Sequence, residues 1–222
     1  MGRRAGLDLR RIVDAAHTLD PETLTVQAVA DVLGVDRKAV RHHVADLQTL
    51  LGLVALDRIA TNPGEVDIPA DATWQEALRR YARAFADAVI AADTLADHLR
   101  TSDSLPVGFG RPTEELTARL AAAGFDDEAI LRTLALVANF CTAYARDVVF
   151  VSRGGERPRR QAAELILRGA DHAYEHFTRV LAQGVDTYDA RQFEIGVDVL
   201  VRGIEAVFPH ADVPGSGRPG PP

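Results

Sequence analysis

The 222-residue sequence contains a single cysteine, Cys141, and this excludes two classes of protein. One cysteine cannot form a disulfide within the chain, and it cannot supply the several thiolates of a Cys-based zinc site. The fold must therefore depend on a hydrophobic core, for which a chain of this length is sufficient. Cys141 lies among apolar residues, and we expect a reducing, cytoplasmic location.

The sequence also lacks a long apolar run. The N-terminal segment MGRRAGLDLRRI is basic without the apolar stretch of a signal peptide. No later segment approaches the ~20 apolar residues of a membrane span, so we expect a soluble protein with no membrane partner. Residues 213–222, VPGSGRPGPP, are rich in glycine and proline, and we predict a disordered tail over residues 211–222.

An excess of positive charge is absent as well, since the net charge is −7. Proteins that bind nucleic acid are expected to carry a basic surface. The acidic excess lies outside the first part of the chain: residues 1–60 hold eight basic and eight acidic residues, and the remainder holds 17 basic and 24 acidic residues. Cations grouped within the neutral first segment predict local phosphate contacts and salt-sensitive binding of moderate strength.

Two short amphipathic helices separated by a glycine are predicted in residues 24–51, LTVQAVADVLGVDRKAVRHHVADLQTLL. Thr25 is a suitable N-cap for the first helix, and Gly34 can adopt the left-handed conformation that ends it. Asp36 can cap the second helix, expected over residues 36–44. This layout is typical of a helix-turn-helix, whose second helix enters the major groove of DNA. The residues that we predict to contact DNA are Arg3, Arg4, Thr25, Gln27, Arg37, Lys38, Arg41, His42 and His43.

Different contacts are expected from different members of this set. Arg41 is the candidate for base recognition, because a guanidinium can donate two hydrogen bonds to a guanine edge, worth about 1–3 kcal/mol of discrimination. Arg3 and Arg4 are expected to follow phosphates or the minor groove. Gln27 is equally compatible with an exposed polar residue that makes no contact. The cations of the second helix are also compatible with an ordinary solvated helix face.

The remaining sequence predicts helices and no paired strands, so the fold class is all-α. We place a helix-turn-helix DNA-binding domain at residues 1–46 and a helical ligand-binding and dimerisation domain at residues 47–210, with a linking helix over 47–61. Residues 102–112, SDSLPVGFGRP, predict a loop, after which Thr113 is expected to cap a helix. Further helices are predicted near residues 74–89, 126–148, 159–181 and 189–207, with Gly169 dividing the third of them.

These features resemble the tetracycline-repressor (TetR) family of bacterial transcription factors. The resemblance rests on a leader helix at residues 9–19, the turn Leu33-Gly34-Val35, the second helix of the helix-turn-helix, and an apolar linking helix that follows Asp46. It implies a homodimer in which the long and final helices of each subunit form a four-helix bundle, and therefore a palindromic operator. Short motifs that resemble the tetracycline-repressor branch are Trp74-Gln75, Arg111-Pro112-Thr113, Gly124-Phe125, Phe193-Glu194-Ile195-Gly196 and Gly203-Ile204-Glu205.

The resemblance also implies an effector pocket in the second domain, although the polar residues that bind magnesium-tetracycline in that branch are replaced. Gly108 stands where the resemblance places a metal-binding histidine, and Leu116 where it places a glutamine. An apolar lining with one surviving acid suits a bulky hydrophobic ligand and no metal or cofactor. The alternative is that these residues form ordinary core. The predicted lining is Tyr81, Phe85, Phe109, Leu116, Leu131, Leu134, Asn139 and Asp147.

The predicted function is therefore a ligand-responsive transcriptional repressor that binds palindromic operator DNA as a homodimer and is released by a hydrophobic small molecule. The second helix departs from the family, because Arg41-His42 replace an aromatic pair and Leu47 replaces a lysine. One alternative is a protein of this fold that has lost DNA binding and binds, or acts as an enzyme on, a hydrophobic compound. A purely structural or interaction protein is the third class.

One sequence string matches an enzyme motif. His172-Ala173-Tyr174-Glu175-His176 has the HxxEH spacing of inverted zinc peptidases. Such a site needs a further acidic ligand on a neighbouring helix and a cleft, and strings of this length recur by chance. No nucleophile elbow, phosphate loop or dinucleotide fingerprint is found. We therefore do not expect an enzyme.

Overall fold

The computed structural model describes residues 6–61, 66–98, 110–155, 157–168 and 174–208. Within these residues the chain is all-α, as predicted, with ten α-helices, one 3-10 helix (Asp93–His98) and no strand. The helices are α1 (Leu9–His17), α2 (Val26–Leu33), α3 (Arg37–Arg41), α4 (Leu47–Thr61), α5 (Trp74–Ala92), α6 (Gly110–Ala122), α7 (Asp127–Ser152), α8 (Pro158–Leu167), α9 (Glu175–Leu181) and α10 (Ala190–Val207).

The first three helices begin and end at local signals in the sequence. The Thr25 hydroxyl accepts a hydrogen bond from the backbone N–H of Ala28 at 3.0 Å, which satisfies a free donor at the start of α2. Gly34 ends α2 in the left-handed conformation, with φ 63°. The Asp36 carboxylate caps α3 in the same way. These helices share a core that includes the fully buried Ile12, Val29, Ala30, Val40 and Val44.

Helix α4 contacts α1 as well as the second half of the chain. It packs against α1 on one side and against α5 and the 3-10 helix on the other. Asp57 of α4 forms ion pairs with two α1 side chains, at 3.1 Å to Arg10 and 2.8 Å to His17. These two pairs join α4 to α1.

Helices α5 and α7 form the centre of the second half of the chain, with α6 and α10 packed beside both of them. The apolar face of α5 buries Leu78, Tyr81 and Phe85, while α7 buries Cys141 at its midpoint. Trp74 packs edge-on against Phe125, with ring centroids 5.1 Å apart. This packing buries Tyr81, Phe85, Leu116 and Leu134 of the predicted effector lining.

Helix α7 corrects the expectation that no segment approaches a membrane span. By length and composition alone it is long and apolar enough to cross a membrane. Its apolarity has a structural explanation, because Val137, Cys141 and Ala145 are buried where α7 packs against α5. Leu136 and Phe150 add apolar surface on exposed parts of the helix. The composition of α7 is thus that of a core helix with a further apolar face.

Two helix boundaries differ from the sequence prediction. Helix α6 begins at Gly110, not at Thr113, because Pro112 occupies the first turn, where the missing backbone N–H costs no hydrogen bond. Thr113 is not the cap of this helix. The predicted segment 159–181 contains α8 and α9, and the residues between them, including Gly169, lie outside the described ranges. The predicted disordered tail at 211–222 also lies outside them.

Candidate functional site

Helix α3 presents one apolar and one cationic face. Val40 and the following Val44 are fully buried, and α3 packs against α2. Arg37, Lys38 and Arg41 are exposed. The helix ends at Arg41, earlier than expected, so the exposed residues His42 and His43 belong to the turn that follows.

The three cations of α3 have no side-chain partner among the described residues, whereas many arginines elsewhere bind a carboxylate. Examples are the pairs Arg79–Asp198 at 2.9 Å and Arg83–Glu194 at 2.7 Å. Unpaired exposed cations retain their full interaction with an anionic partner, since no carboxylate has to be displaced first. The paired arginines are Arg10, Arg79, Arg80, Arg83, Arg111, Arg132, Arg153, Arg157, Arg159 and Arg160.

The two predicted contacts on α2 already have intramolecular partners. The Thr25 hydroxyl is used by the helix cap, and the Gln27 side-chain amide donates to the Asp31 carboxylate at 2.8 Å. Both side chains are exposed. The amide of Gln27 has a second N–H donor, which can donate to a phosphate while the bond to Asp31 is kept. Arg3 and Arg4 lie outside the described residues.

The predicted effector lining divides into a buried group and a peripheral group. Tyr81, Phe85, Leu116 and Leu134 are buried where α5, α6 and α7 pack together, and the rings of Tyr81 and Phe85 stack with centroids 6.0 Å apart. Leu131 and Asn139 are exposed, with 58% of Leu131 accessible. Asp147 binds Arg159 in an ion pair. Phe109 lies outside the described residues.

The buried group is accompanied by neutral polar atoms. The Tyr81 hydroxyl lies 3.3 Å from the Thr113 hydroxyl, and burial raises the pKa of Tyr81, so the phenol is neutral. The Cys141 thiol donates to the carbonyl oxygen of Ala82 at 3.4 Å, and burial raises its pKa as well. The Tyr81 hydroxyl and the Cys141 thiol are therefore neutral, and each has a partner within the chain.

Two buried hydroxyls on α7 were missed by the sequence analysis. Thr133 and Thr142 have no hydrogen-bond partner among the described residues. An unsatisfied buried hydroxyl is costly, which makes each one a candidate contact for a polar group of a bound molecule. The sequence feature that could have identified them is the occurrence of two threonines within the apolar stripe of α7.

No group of three metal-ligating side chains occurs in the part of the chain that the structure describes. The carboxylate of Asp147, the surviving acid of the predicted lining, binds an arginine. Within the HxxEH string, Glu175 and His176 are exposed on α9, and His172 lies outside the described ranges. The geometry therefore supplies no support for a zinc site.

A family model described as the tetracyclin repressor-like C-terminal domain matches residues 68–208, which is more than half of the chain. The chain belongs to the TetR family. The helix-turn-helix followed by an all-α second half is the fold expected of that family, and the resemblance described from the sequence is confirmed. A comparison with curated proteins finds no match.

Solved TetR structures match almost the whole chain. One, described as a possible TetR family transcriptional regulator from Streptomyces coelicolor A3(2), is 26% identical with a TM-score of 0.65, covering 90% of this chain and 100% of the other. The transcriptional regulator SCO7222 from Streptomyces coelicolor is 26% identical with a TM-score of 0.59, covering 91% and 100%. ActR of the same organism, solved with actinorhodin, is 24% identical with a TM-score of 0.65, covering 89% and 95%, and shows the shared fold.

Proposed function

We propose that this TetR-family protein is a ligand-responsive repressor that binds palindromic operator DNA as a homodimer and is released by a bulky hydrophobic molecule. The observation that carries the proposal is the unpaired cationic face of α3, presented by a helix-turn-helix whose caps and turn are intact. Val40 packs in the core, while Arg37, Lys38 and Arg41 lie on the surface. The three cations can therefore contact DNA while the core stays packed as it is.

Arg41 is the proposed base contact. It lies at the exposed end of α3, and its guanidinium has no partner among the described residues. A major-groove guanine offers two acceptors that match two guanidinium donors. Arg37 and Lys38, one turn earlier, are assigned to phosphates, where they supply affinity without sequence preference.

The homodimer is supported by apolar surface on α7 and α10. The two helices pack within one chain through Phe140 and Phe193, whose rings stack with centroids 5.6 Å apart. Both also carry exposed apolar side chains, including 63% of Val199. A second copy that adds the same two helices would cover these side chains and form a symmetric four-helix bundle. The exposed apolar residues on the two helices are Leu131, Leu136, Phe150, Ile195, Val199 and Val207.

The proposed effector region is the interior around Tyr81, Phe85, Leu116 and Leu134. Its lining is apolar, and its polar groups are neutral hydroxyls and a thiol. Such an environment favours a hydrophobic ligand with a few hydrogen-bonding groups and disfavours an ion. The effector would shift the population towards dimers whose two α3 helices no longer match successive major grooves.

The proposal is tested by a mobility shift of the purified full chain on DNA that flanks its own gene, at low and at physiological salt. Three alanines at Arg37, Lys38 and Arg41 should abolish the shift without affecting the fold, since all three side chains are exposed. The matched control replaces three exposed arginines of the second half of the chain: Arg111, Arg132 and Arg160.

The control variant should bind as the unmodified chain does. If the unmodified chain fails to bind at low salt, or if the α3 variant binds equally well, the regulator proposal is wrong. A small-molecule binding protein of the same fold would then be the better description.

A further inference from the structure

Two adjacent histidines follow the cationic helix α3. The helix ends at Arg41, and the histidine pair, His42 and His43, forms the turn after it with both side chains exposed. Neither imidazole has a hydrogen bond or an ion pair among the described residues. Histidine is the side chain that ordinarily changes charge between about pH 5 and 8. Each imidazole of the pair can therefore gain a positive charge without losing a contact within the described part of the chain.

The histidine pair lies close to the cations that are proposed to contact DNA. Two peptide units join Arg41 to His43, so their Cα atoms are at most about 7.6 Å apart. Charges in water interact over a Debye length of about 8 Å at physiological salt. A positive charge in this turn is therefore added to the field that the exposed Arg37, Lys38 and Arg41 present to a phosphate backbone.

The carboxylates of the same segment are already engaged. Helix α2, which packs against α3, has one ionisable side chain, Asp31, and its carboxylate accepts a hydrogen bond from the Gln27 amide at 2.8 Å. The Asp36 carboxylate caps α3. The Asp46 carboxylate accepts from the backbone N–H and the hydroxyl of Thr49, each at 2.8 Å. Because no carboxylate of the described residues bonds the histidine pair, a phosphate of bound DNA can supply its counter-charge.

The other described histidines lie in different environments. His17 bonds the Asp57 carboxylate at 2.8 Å, and His98 lies 2.8 Å from the side-chain oxygen of Gln48. His176 is exposed on α9, in the second half of the chain. His17 is a competing source of pH dependence, because its ion pair exists only when the imidazole is protonated. His176 provides a control, since it is exposed but does not belong to the helix-turn-helix.

We propose that DNA binding by this protein takes up protons at the histidine pair, so that the affinity for DNA rises as the pH falls. The proposal rests on the proposed function, because it concerns the same DNA-binding segment. Phosphates stabilise a cation beside them, so bound DNA favours the charged form of each imidazole. By linkage, the charged form favours DNA binding by the same factor. The proposed homodimer carries four of these imidazoles.

The added affinity has a defined pH window and is independent of DNA sequence. It is fully present below the pH at which the imidazoles of the free protein titrate, and it is lost as the pH rises through the higher pH at which those of the complex titrate. An average uptake of half a proton per dimer between about pH 8 and about pH 6 strengthens binding about tenfold. Phosphate contacts carry no sequence information, so the gain should be equal for any duplex.

The test measures the affinity of the full chain for a fluorescent duplex of the DNA that flanks its own gene, and for a shuffled duplex, at about pH 6 and about pH 8 and constant ionic strength. We expect the unmodified chain to bind both duplexes at least about tenfold more tightly at the lower pH. A double variant with His42→Gln and His43→Gln should keep less than about a threefold gain. The control His176→Gln, and His17→Gln, which removes the ion pair with Asp57, should each keep the full gain.

Calorimetry in two buffers of different ionisation enthalpy counts the protons directly. The unmodified chain should take up at least about half a proton per dimer more than the double variant does. DNA binding of equal strength at both pH values, a double variant that keeps the full gain, or a gain confined to one duplex would overturn the proton uptake while the proposed function stands. If the unmodified chain binds neither duplex at low salt at either pH, the proposed function and the proton uptake are both wrong.

Discussion

Gly196 of α10 offers a quantitative test of how α7 and α10 pack. A Cβ built at Gly196 would lie 2.2 Å from Cζ of Phe140 and 2.5 Å from its Cε2, well inside van der Waals contact. The Phe140 ring stacks on Phe193, which in turn packs against Tyr144 with centroids 4.7 Å apart. Gly196→Ala therefore forces Phe140 to move at its contact with Phe193.

The expected loss of stability combines two contributions that lower the free energy of unfolding and one that raises it. Overpacking costs about 1–3 kcal/mol, and a disturbed aromatic pair costs about 0.5–1.5 kcal/mol. Alanine in a helix regains about 1 kcal/mol relative to glycine. We therefore expect Gly196→Ala to lower the free energy of unfolding by about 0.5–3.5 kcal/mol, and the midpoint of that range, about 2 kcal/mol, corresponds to a melting temperature lower by roughly 4–8 °C.

Gly203 provides the matched control on the same helix. A Cβ there would meet no atom within 4 Å in the single chain. Because Gly203 lies one turn from Val199 on the proposed dimer stripe, both glycine variants are compared in a Val199→Glu background, where Gly203→Ala should raise stability by about 0.5–1 kcal/mol. Thermal unfolding followed by circular dichroism, at one fixed protein concentration, measures both variants. If Gly196→Ala is as stable as Gly203→Ala, the close packing of Phe140 against α10 is not present in solution.

Three further substitutions test other parts of the account. Val199→Glu places a charge on the exposed stripe of α10 and should convert the proposed dimer to a folded monomer, as measured by light scattering coupled to gel filtration; an unchanged dimer would place the interface elsewhere. Thr25→Ala removes the cap of α2 and should lower the free energy of unfolding by about 1 kcal/mol in denaturant titrations; no loss would show that the cap is dispensable. Tyr81→Phe removes the hydroxyl beside Thr113 and should cost about 1 kcal/mol in the same titration, and a gain in stability would contradict that hydrogen bond.

The parts of the fold that depend on local hydrogen bonds could be predicted from the sequence. The caps at Thr25 and Asp36 and the left-handed Gly34 involve only residues within one turn, so residue type determines the outcome. The predicted start of α6 at Thr113 was wrong, because a proline such as Pro112 is compatible both with a loop and with the first turn of a helix.

The effector region was harder to predict. Leu131 and Leu134 are both apolar and close in sequence, yet the first is exposed and the second buried. The apolar stripe of α7 is too wide for spacing alone to separate its core face from its outer face. Asp93 shows a different limit, since most aspartates have negative φ and the residue type alone does not predict its φ of 57°. The absence of a carboxylate partner for Arg41 among the described residues could not be predicted either, because it depends on where carboxylates that are distant in sequence lie in the fold.

The central claim is that α3 contacts base edges through Arg41. Its most direct test is equilibrium competition between the operator, recovered by selection from a random DNA pool, and shuffled DNA of equal length. We expect Arg41→Ala to reduce the preference for the operator at least about fivefold, because a lost bidentate contact costs about 1–3 kcal/mol. Lys38→Ala should weaken binding to both DNAs alike and leave the preference unchanged. An Arg41→Ala protein that keeps the full preference would contradict the account.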